Sequence, residues 1–196
     1  ERVGNFYMWK YAGLNSDGEW VIYDKNGEYK AGMDATDEDM YVVGNGLPKF
    51  TASWSNYLKY KNLDLSIYFR GAFGFEIFNI HEFYYGIPGM TSNVMKTAYT
   101  KNANIKENPL VCDYFIERGD YLKLDMVTIG YTIPLVSKYF DSVRFSLTGK
   151  NLFTLTSFSG VDPSTYSTNG LTPGATGSRN YYPTCRQFLA AVQIAF

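Results

Sequence analysis

The stretch Leu63-Asp64-Leu65-Ser66-Ile67-Tyr68-Phe69-Arg70 decides the fold. Leu63, Leu65, Ile67 and Phe69 share one face; Asp64, Ser66, Tyr68 and Arg70 share the other. A period of two is the signature of a β-strand, not a helix. Immediately upstream, Phe50, Ala52, Trp54, Leu58 and Tyr60 fall on one face of a second such run. Only Lys61-Asn62 separates the two runs, which suits a two-residue hairpin.

The same period recurs downstream. Val143, Phe145, Leu147, Gly149, Asn151, Phe153 and Leu155 alternate with mostly polar residues. Phe188, Ala190, Val192, Ile194 and Phe196 do so at the end of the chain. Between Tyr121 and Pro134 the phase slips: Leu122 and Leu124 set it, and Val127, Ile129, Tyr131 and Ile133 resume it one residue out of step. One extra residue at Asp125-Met126 explains the slip, so a β-bulge is expected there. With a shorter run near the start, six strands result: roughly 5–13, 49–60, 63–78, 119–133, 142–156 and 184–196. The connections alternate long, short, long, short, long. Three connections above about 15 residues are unusual in a compact soluble domain.

Composition narrows the function classes. The 196 residues are 45% hydrophobic, 18% aromatic and only 19% charged, with a formal net charge of -1. Global disorder and a basic nucleic-acid footprint are both excluded. No apolar run reaches the ~18 residues of a transmembrane helix. The chain opens Glu1-Arg2-Val3-Gly4 without Met, so a mature segment or a piece of a longer chain is expected. One His and two Cys make a zinc cluster a poor reading, and no metal site is expected.

Alternation can bury its apolar face in a core or turn it to lipid. Three features favour lipid. Several strands exceed the ~9–11 residues needed to cross a bilayer when tilted. Aromatics such as Tyr60, Phe69, Phe73, Tyr131, Phe153 and Phe196 crowd the strand ends, where amphipathic rings meet headgroups. Every second connection is short, as periplasmic turns are. The expected fold class is therefore all-β: an antiparallel transmembrane β-barrel wall of about six strands. Loops 14–48, 79–118 and 157–183 would face outside, with the turns at Lys61-Asn62 and around Ser137-Lys138 on the periplasmic side. Ile67, Phe69, Phe145, Leu147, Val192 and Ile194 would face hydrocarbon. The alternative is a soluble all-β carbohydrate-binding module with aromatic-rich loops.

Several motifs resemble a known family. They are Gly44-Asn45-Gly46-Leu47-Pro48-Lys49-Phe50, Tyr60-Lys61-Asn62-Leu63-Asp64-Leu65 and Gly71-Ala72-Phe73-Gly74. Asp120-Tyr121-Leu122-Lys123-Leu124, Gly130-Tyr131-Thr132-Ile133-Pro134 and Gly149-Lys150-Asn151-Leu152-Phe153 follow in order. Ser159-Gly160-Val161-Asp162-Pro163, Tyr182-Pro183-Thr184-Cys185-Arg186 and the terminal Phe196 complete the set. Together, over nearly the whole chain, they resemble the C-terminal barrel of SusC/RagA-like TonB-dependent transporters. Lys123 and Lys150 depart from that pattern where Arg or Gln is expected, and Cys185 where a hydroxyl residue is usual.

The resemblance implies a barrel of about 22 strands closed around an N-terminal plug, of which residues 1–196 would be the C-terminal part. It also implies import of oligosaccharides or peptides across the outer membrane of a Gram-negative cell. A SusD-like lipoprotein lid, the TonB complex, outer-membrane lipid and the barrel-assembly machinery are the implied partners. Phe196 would then be the assembly signal that the machinery recognises.

No constellation for catalysis appears. His81 lacks a nucleophile at triad spacing and reads as a loop histidine. Asp37-Glu38-Asp39 reads as a solvated run. Asp24-Lys25-Asn26-Gly27-Glu28 begins like a calcium loop, but Tyr29 replaces the required glycine, so a turn is expected. No enzyme activity and no cofactor are expected. Cys112 and Cys185 map near outer strand ends, where an oxidising exterior permits a disulfide, although their strands are not neighbours. The loop aromatics Phe83, Tyr84, Tyr85, Tyr181 and Tyr182 are candidates for stacking on cargo, with packing inside the loops as the other reading.

Overall fold

The structure, a computed structural model, describes residues 2–89, 93–135, 139–166, 170–175 and 182–196. Its strands are β1 (Asn5–Leu14), β2 (Trp20–Tyr23), β3 (Tyr29–Ala31), β4 (Met40–Asn45), β5 (Phe50–Tyr60) and β6 (Leu63–Phe73). They continue as β7 (Glu76–Phe78), β8 (Ile116–Arg118), β9 (Tyr121–Pro134), β10 (Ser142–Thr156) and β11 (Gln187–Ala195). One short helix, α1, spans Ile80–Tyr85.

Five strands form the main sheet, in the order β11-β10-β9-β6-β5, and every pairing is antiparallel. Lys61, at φ 53, turns the β5–β6 hairpin, and Tyr60 pairs with Leu63 across it. The turn expected around Ser137-Lys138 falls outside the described residues.

Pairing lines up the apolar positions across the sheet. Leu58, Leu65, Ile129, Leu147 and Ala190 form one such row. Leu147 and Val192 remain 56% and 59% exposed, so this face has no protein cover. Aromatic rings mark both ends of the strands. Near the outer end, Phe69 lies between Trp54 and Phe153, with centroids 5.8 and 6.4 Å away, and Phe50 stacks on Phe73 at 4.9 Å. Near the other end, Tyr60, Leu63, Tyr131 and Phe145 form a row, and Phe140 meets Phe196 at 5.4 Å. An aliphatic band between two aromatic girdles is the profile of a wall in lipid.

The opposite face is polar. Tyr68 pairs with Met126 and Phe69 with Leu124, so Asp125 is the extra residue, as the phase slip implies. A second irregularity lies in β10, where Asn151 and Leu152 fall between the pairs Lys150–Met126 and Phe153–Leu124. Asn151 sits there at φ 53.

The first expected strand is not part of the wall. Residues 5–13 do form β1, but its first half, Asn5–Trp9, pairs with β4 and its second half, from Lys10 to Leu14, with β2, in a separate sheet of order β3-β2-β1-β4. Among the described residues no ladder joins β1 to β5. The strand expected over 63–78 breaks after Phe73 at Gly74, which has φ 75. Its remainder, β7, pairs with β8, a short strand just ahead of the one expected over 119–133.

The described parts of the long connections are folded. Trp20, Ile87, Ile105, Cys112 and Phe115 form a buried cluster that joins residues 14–48 to residues 79–118. A second cluster, Ala72, Phe75, Ile77, Tyr121, Phe158 and Tyr166, roofs the outer end of the polar face.

The face assignment has a direct consequence. Leu147→Arg should destabilise the folded sheet by ~2–4 kcal/mol near the bilayer midplane, and Ser146→Arg on the polar face by much less. Denaturant titration of the full-length receptor refolded into vesicles measures both, and equal costs would contradict the assignment.

Candidate functional site: the polar face and its outer rim

The polar face would line a lumen, and its charges sit in membrane-spanning strands. Such charges need partners, and Asp64, Arg70, Lys123, Asp125 and Arg144 have them. Arg144 holds Asp64 with two bonds, Nε to Oδ1 at 3.1 Å and Nη2 to Oδ2 at 2.6 Å, and Nη1 also donates to Gln193 at 3.2 Å. The pair crosses β9 directly over Gly130, where a Cβ would collide with both side chains. Glycine is what leaves room for the bridge. Arg70 pairs with Asp125, so the bulge residue supplies the counter-charge. Thr128 and Thr148 share a 2.9 Å hydrogen bond between these pairs.

At the outer rim the most buried charge is Lys123, 1% exposed. Its Nζ donates to Thr184 Oγ1 at 2.6 Å and to Ser164 Oγ at 2.9 Å, and lies 3.4 Å from Asp162 Oδ2. Thr184 in turn donates to Asp162 at 2.6 Å. Burial raises the Asp162 carboxyl, but bonds from Thr184 and Ser164 and the Lys123 charge outweigh it and hold it below the ordinary carboxylate range. A lowered folded value gives stability that is present at neutral pH and lost as pH falls through it. Three of the motifs that carry the family resemblance thus converge on one ammonium. Sequence reading missed this cluster, although a lysine on the polar face of a spanning strand was the available signal.

The loop aromatics are divided. Phe83, on α1, packs against Phe78 and Phe115 with centroids 5.4 and 5.2 Å away, so its ring belongs to the loop core. Tyr84 meets Phe83 edge-on at 4.9 Å, and Tyr85 lies beside His81 at 6.4 Å. Tyr182 is fully open to solvent, and Tyr181 falls outside the described residues. His81 is half-buried on α1.

Glu82, buried in the same helix, is held by Asn102 at 2.7 Å and Thr97 at 3.0 Å. Tyr114 donates to Asn102 at 2.6 Å. These bonds stiffen the loop. Asp24 accepts backbone N–H bonds from Asn26 and Glu28, both at 2.8 Å, which makes the expected turn. Asp39 takes Lys30 at 2.7 Å and accepts from Thr36 N at 3.0 Å, which closes the single 3-10 turn Asp37–Asp39, and the Lys30 bond holds its carboxyl far below the usual range. Among the described residues no group of three or more His, Cys, Asp or Glu could hold a metal.

The Cys112–Cys185 bridge entertained from sequence is not made: both thiols are free. Cys112 is sealed in the cluster with Trp20 and Phe115, whereas Cys185 is exposed and precedes β11. Burial pushes the Cys112 thiol up to about 12, which keeps it protonated and unreactive.

No family model matches the chain. Curated relatives do. TonB-dependent receptor P3 of Formosa agariphila is 28% identical over 187 residues, which cover 83% of this chain and 19% of the relative. TonB-dependent receptor P26 of the same organism is 29% identical over 197 residues, covering 89% of this chain and 19% of the relative. The chain therefore spans about a fifth of the length of either. Among solved structures, the RagAB peptide importer in its closed-closed state superposes with a TM-score of 0.76 at 21% identity, covering 98% of this chain and 23% of that one. The open-open state gives 0.73 at 20% identity, with 98% and 22% covered. In sequence the chain is similar to TonB-dependent receptors, and its fold is that of a barrel-wall segment of the RagAB importer.

Proposed function

We propose that residues 1–196 form the C-terminal part of the barrel of a TonB-dependent outer-membrane importer of nutrients such as oligosaccharides or peptides. The carrying observation is a five-stranded antiparallel sheet with one uncovered apolar face, one ion-paired polar face and, among the described residues, folded loops at one end only. In water that apolar face would be a large sticky patch; in lipid it is at home. The relatives' names support the TonB-dependent reading, and the fold likeness to a peptide importer supports transport.

The sheet also sets what else the barrel needs. β5 and β11 run in the same direction, because each step between them is antiparallel. Their outer edges are open among the described residues, and an open edge is not tolerated in hydrocarbon. An all-antiparallel closure then requires an odd number of further strands. A plug, contact with TonB and a SusD-like lipoprotein over the outer loops complete the reading. They would come from the rest of the receptor and from its partner.

Topology is the direct test. In the full-length receptor carrying Cys185→Ser, a bulky impermeant maleimide on intact cells should label Leu171→Cys and spare Asn62→Cys. Equal labelling, or the reverse, would overturn the outer-membrane reading.

Phe196 fits the role of an assembly signal: it lies directly after β11, and the residue is 83% exposed. Deleting it should lower the amount of full-length barrel in the outer membrane, while barrels that insert keep their melting temperature. Normal amounts with a lowered melting temperature would make it a girdle aromatic instead.

A further inference from the structure

The connection between β10 and β11 does not hang free above the sheet. Its residues 157–166 and 170–175 are held at three points, the middle one on the polar face of the wall and the other two on β7, β8 and the end of β4. At the first, Ser159 N and Oγ donate to the two carboxylate oxygens of Glu117, both at 2.7 Å, and Asn79 Nδ2 donates to Ser159 Oγ at 3.2 Å. At the last, Gly174 O accepts from Phe78 N at 2.9 Å. There Pro173 and Gly174 press on Gly46 so closely that no Cβ would fit on Gly46. Between the two sits the Lys123 cluster, with Asp162 and Ser164 on the connection, Thr184 just before β11 and Lys123 itself on β9. Phe158 and Tyr166 drop onto Ala72 and Tyr121 beside it. Both Ala72 and Tyr121 belong to the polar face, since Tyr121 lies on the side opposite the exposed Leu122.

We propose that Lys123 is the clamp that fixes this connection as a permanent strap over the outer end of the lumen face. In this sector cargo would then meet the strap and not the wall strands beneath it. The reason to assign the clamp to Lys123 is the kind of contact it makes. Serine and backbone bonds at the first and last anchors are neutral or partly exposed, and each can be replaced by water at small net cost. The ammonium and Asp162 are both buried and fully partnered. Removing one leaves the other charged, dry and unpaired, which is the costly case. The strap then relaxes by admitting water at Asp162. Several of its own amides lose their order with it. Ser164 N donates to Asp162 Oδ1 at 2.9 Å, Thr165 N to Asp162 O at 3.3 Å and Tyr166 N to Pro163 O at 3.4 Å. That the covered face is a lumen rests on the importer reading; the clamp does not.

Hydrogen–deuterium exchange on the detergent-purified full-length receptor tests the clamp without any need for import. In the parent, the amides of Ser164, Thr165 and Tyr166 should exchange slowly. In Lys123→Met they should exchange at least about tenfold faster, with the centres of β9 and β10 unchanged, and Lys123→Arg should restore most of the protection. If Lys123→Met fails to yield folded barrel, Asp162→Asn carries the same comparison and should speed the same amides severalfold. Strap amides that stay protected in a folded Lys123→Met or Asp162→Asn receptor would overturn the clamp. So would strap amides that already exchange freely in the parent. Failure of the importer reading would leave either result standing.

Discussion

A backbone placed in hydrocarbon must satisfy each N–H and C=O from within the protein, and that requirement organises everything else in this chain. It forces long strands into continuous antiparallel ladders, and the pleat then sorts side chains onto two faces. One face meets lipid and can carry almost nothing but apolar groups. The other takes every charge the strands contain. Asp64, Arg70, Lys123 and Arg144 all fall on it, and each is met by a partner from a different part of the chain. Register has little freedom here, because a slip of one residue would exchange the faces. The Asp125 bulge is the tolerated exception. It shifts the pairing by one residue and supplies the carboxylate that Arg70 needs.

Outside the membrane the constraint is different, and so is the construction. Water can satisfy the backbone there, so short strands, turns and small helices suffice. The loops gain order from aromatic clusters around Trp20 and Phe115 and from buried amide–carboxylate bonds such as Asn102 to Glu82. Lys123 stands where the two regimes meet. It leaves the wall on the polar side at the rim and is taken up by residues on both sides of the last connection.

Much of the wall was legible in the sequence because its code is local. The alternation in Leu63–Arg70, the Lys61-Asn62 hairpin and the phase slip at Asp125 each lie within a few residues and have one physical reading. The β10 irregularity was invisible for an equally physical reason. From Lys150 to Phe153 the chain takes three steps where β9 takes two and β6 one. The two extra residues relative to β6 leave the alternation of β10 intact. Period two also says that residues 5–13 form a strand without saying with which partner. The neighbours that claim β1 include segments as short as Trp20–Tyr23, below the length at which alternation stands out. The rim cluster was hidden because Lys123 is 39 to 61 positions from the residues that bind it, and only the fold brings them within bonding distance. The loop aromatics show the converse limit. Ring content was plain, but whether Phe83 faces cargo or core depends on Phe78 and Phe115, which no local pattern places beside it.

The central claim is the assignment of faces, and one measurement reaches it most directly. Spin labels placed one at a time from Val143 to Gly149 in the full-length receptor in liposomes report collisions with oxygen, which favours lipid, and with a water-soluble nickel chelate. The account predicts a period of two, with oxygen maxima at positions 143, 145, 147 and 149 and nickel maxima at 144, 146 and 148. Uniform accessibility along the strand, or maxima in the opposite phase, would contradict it.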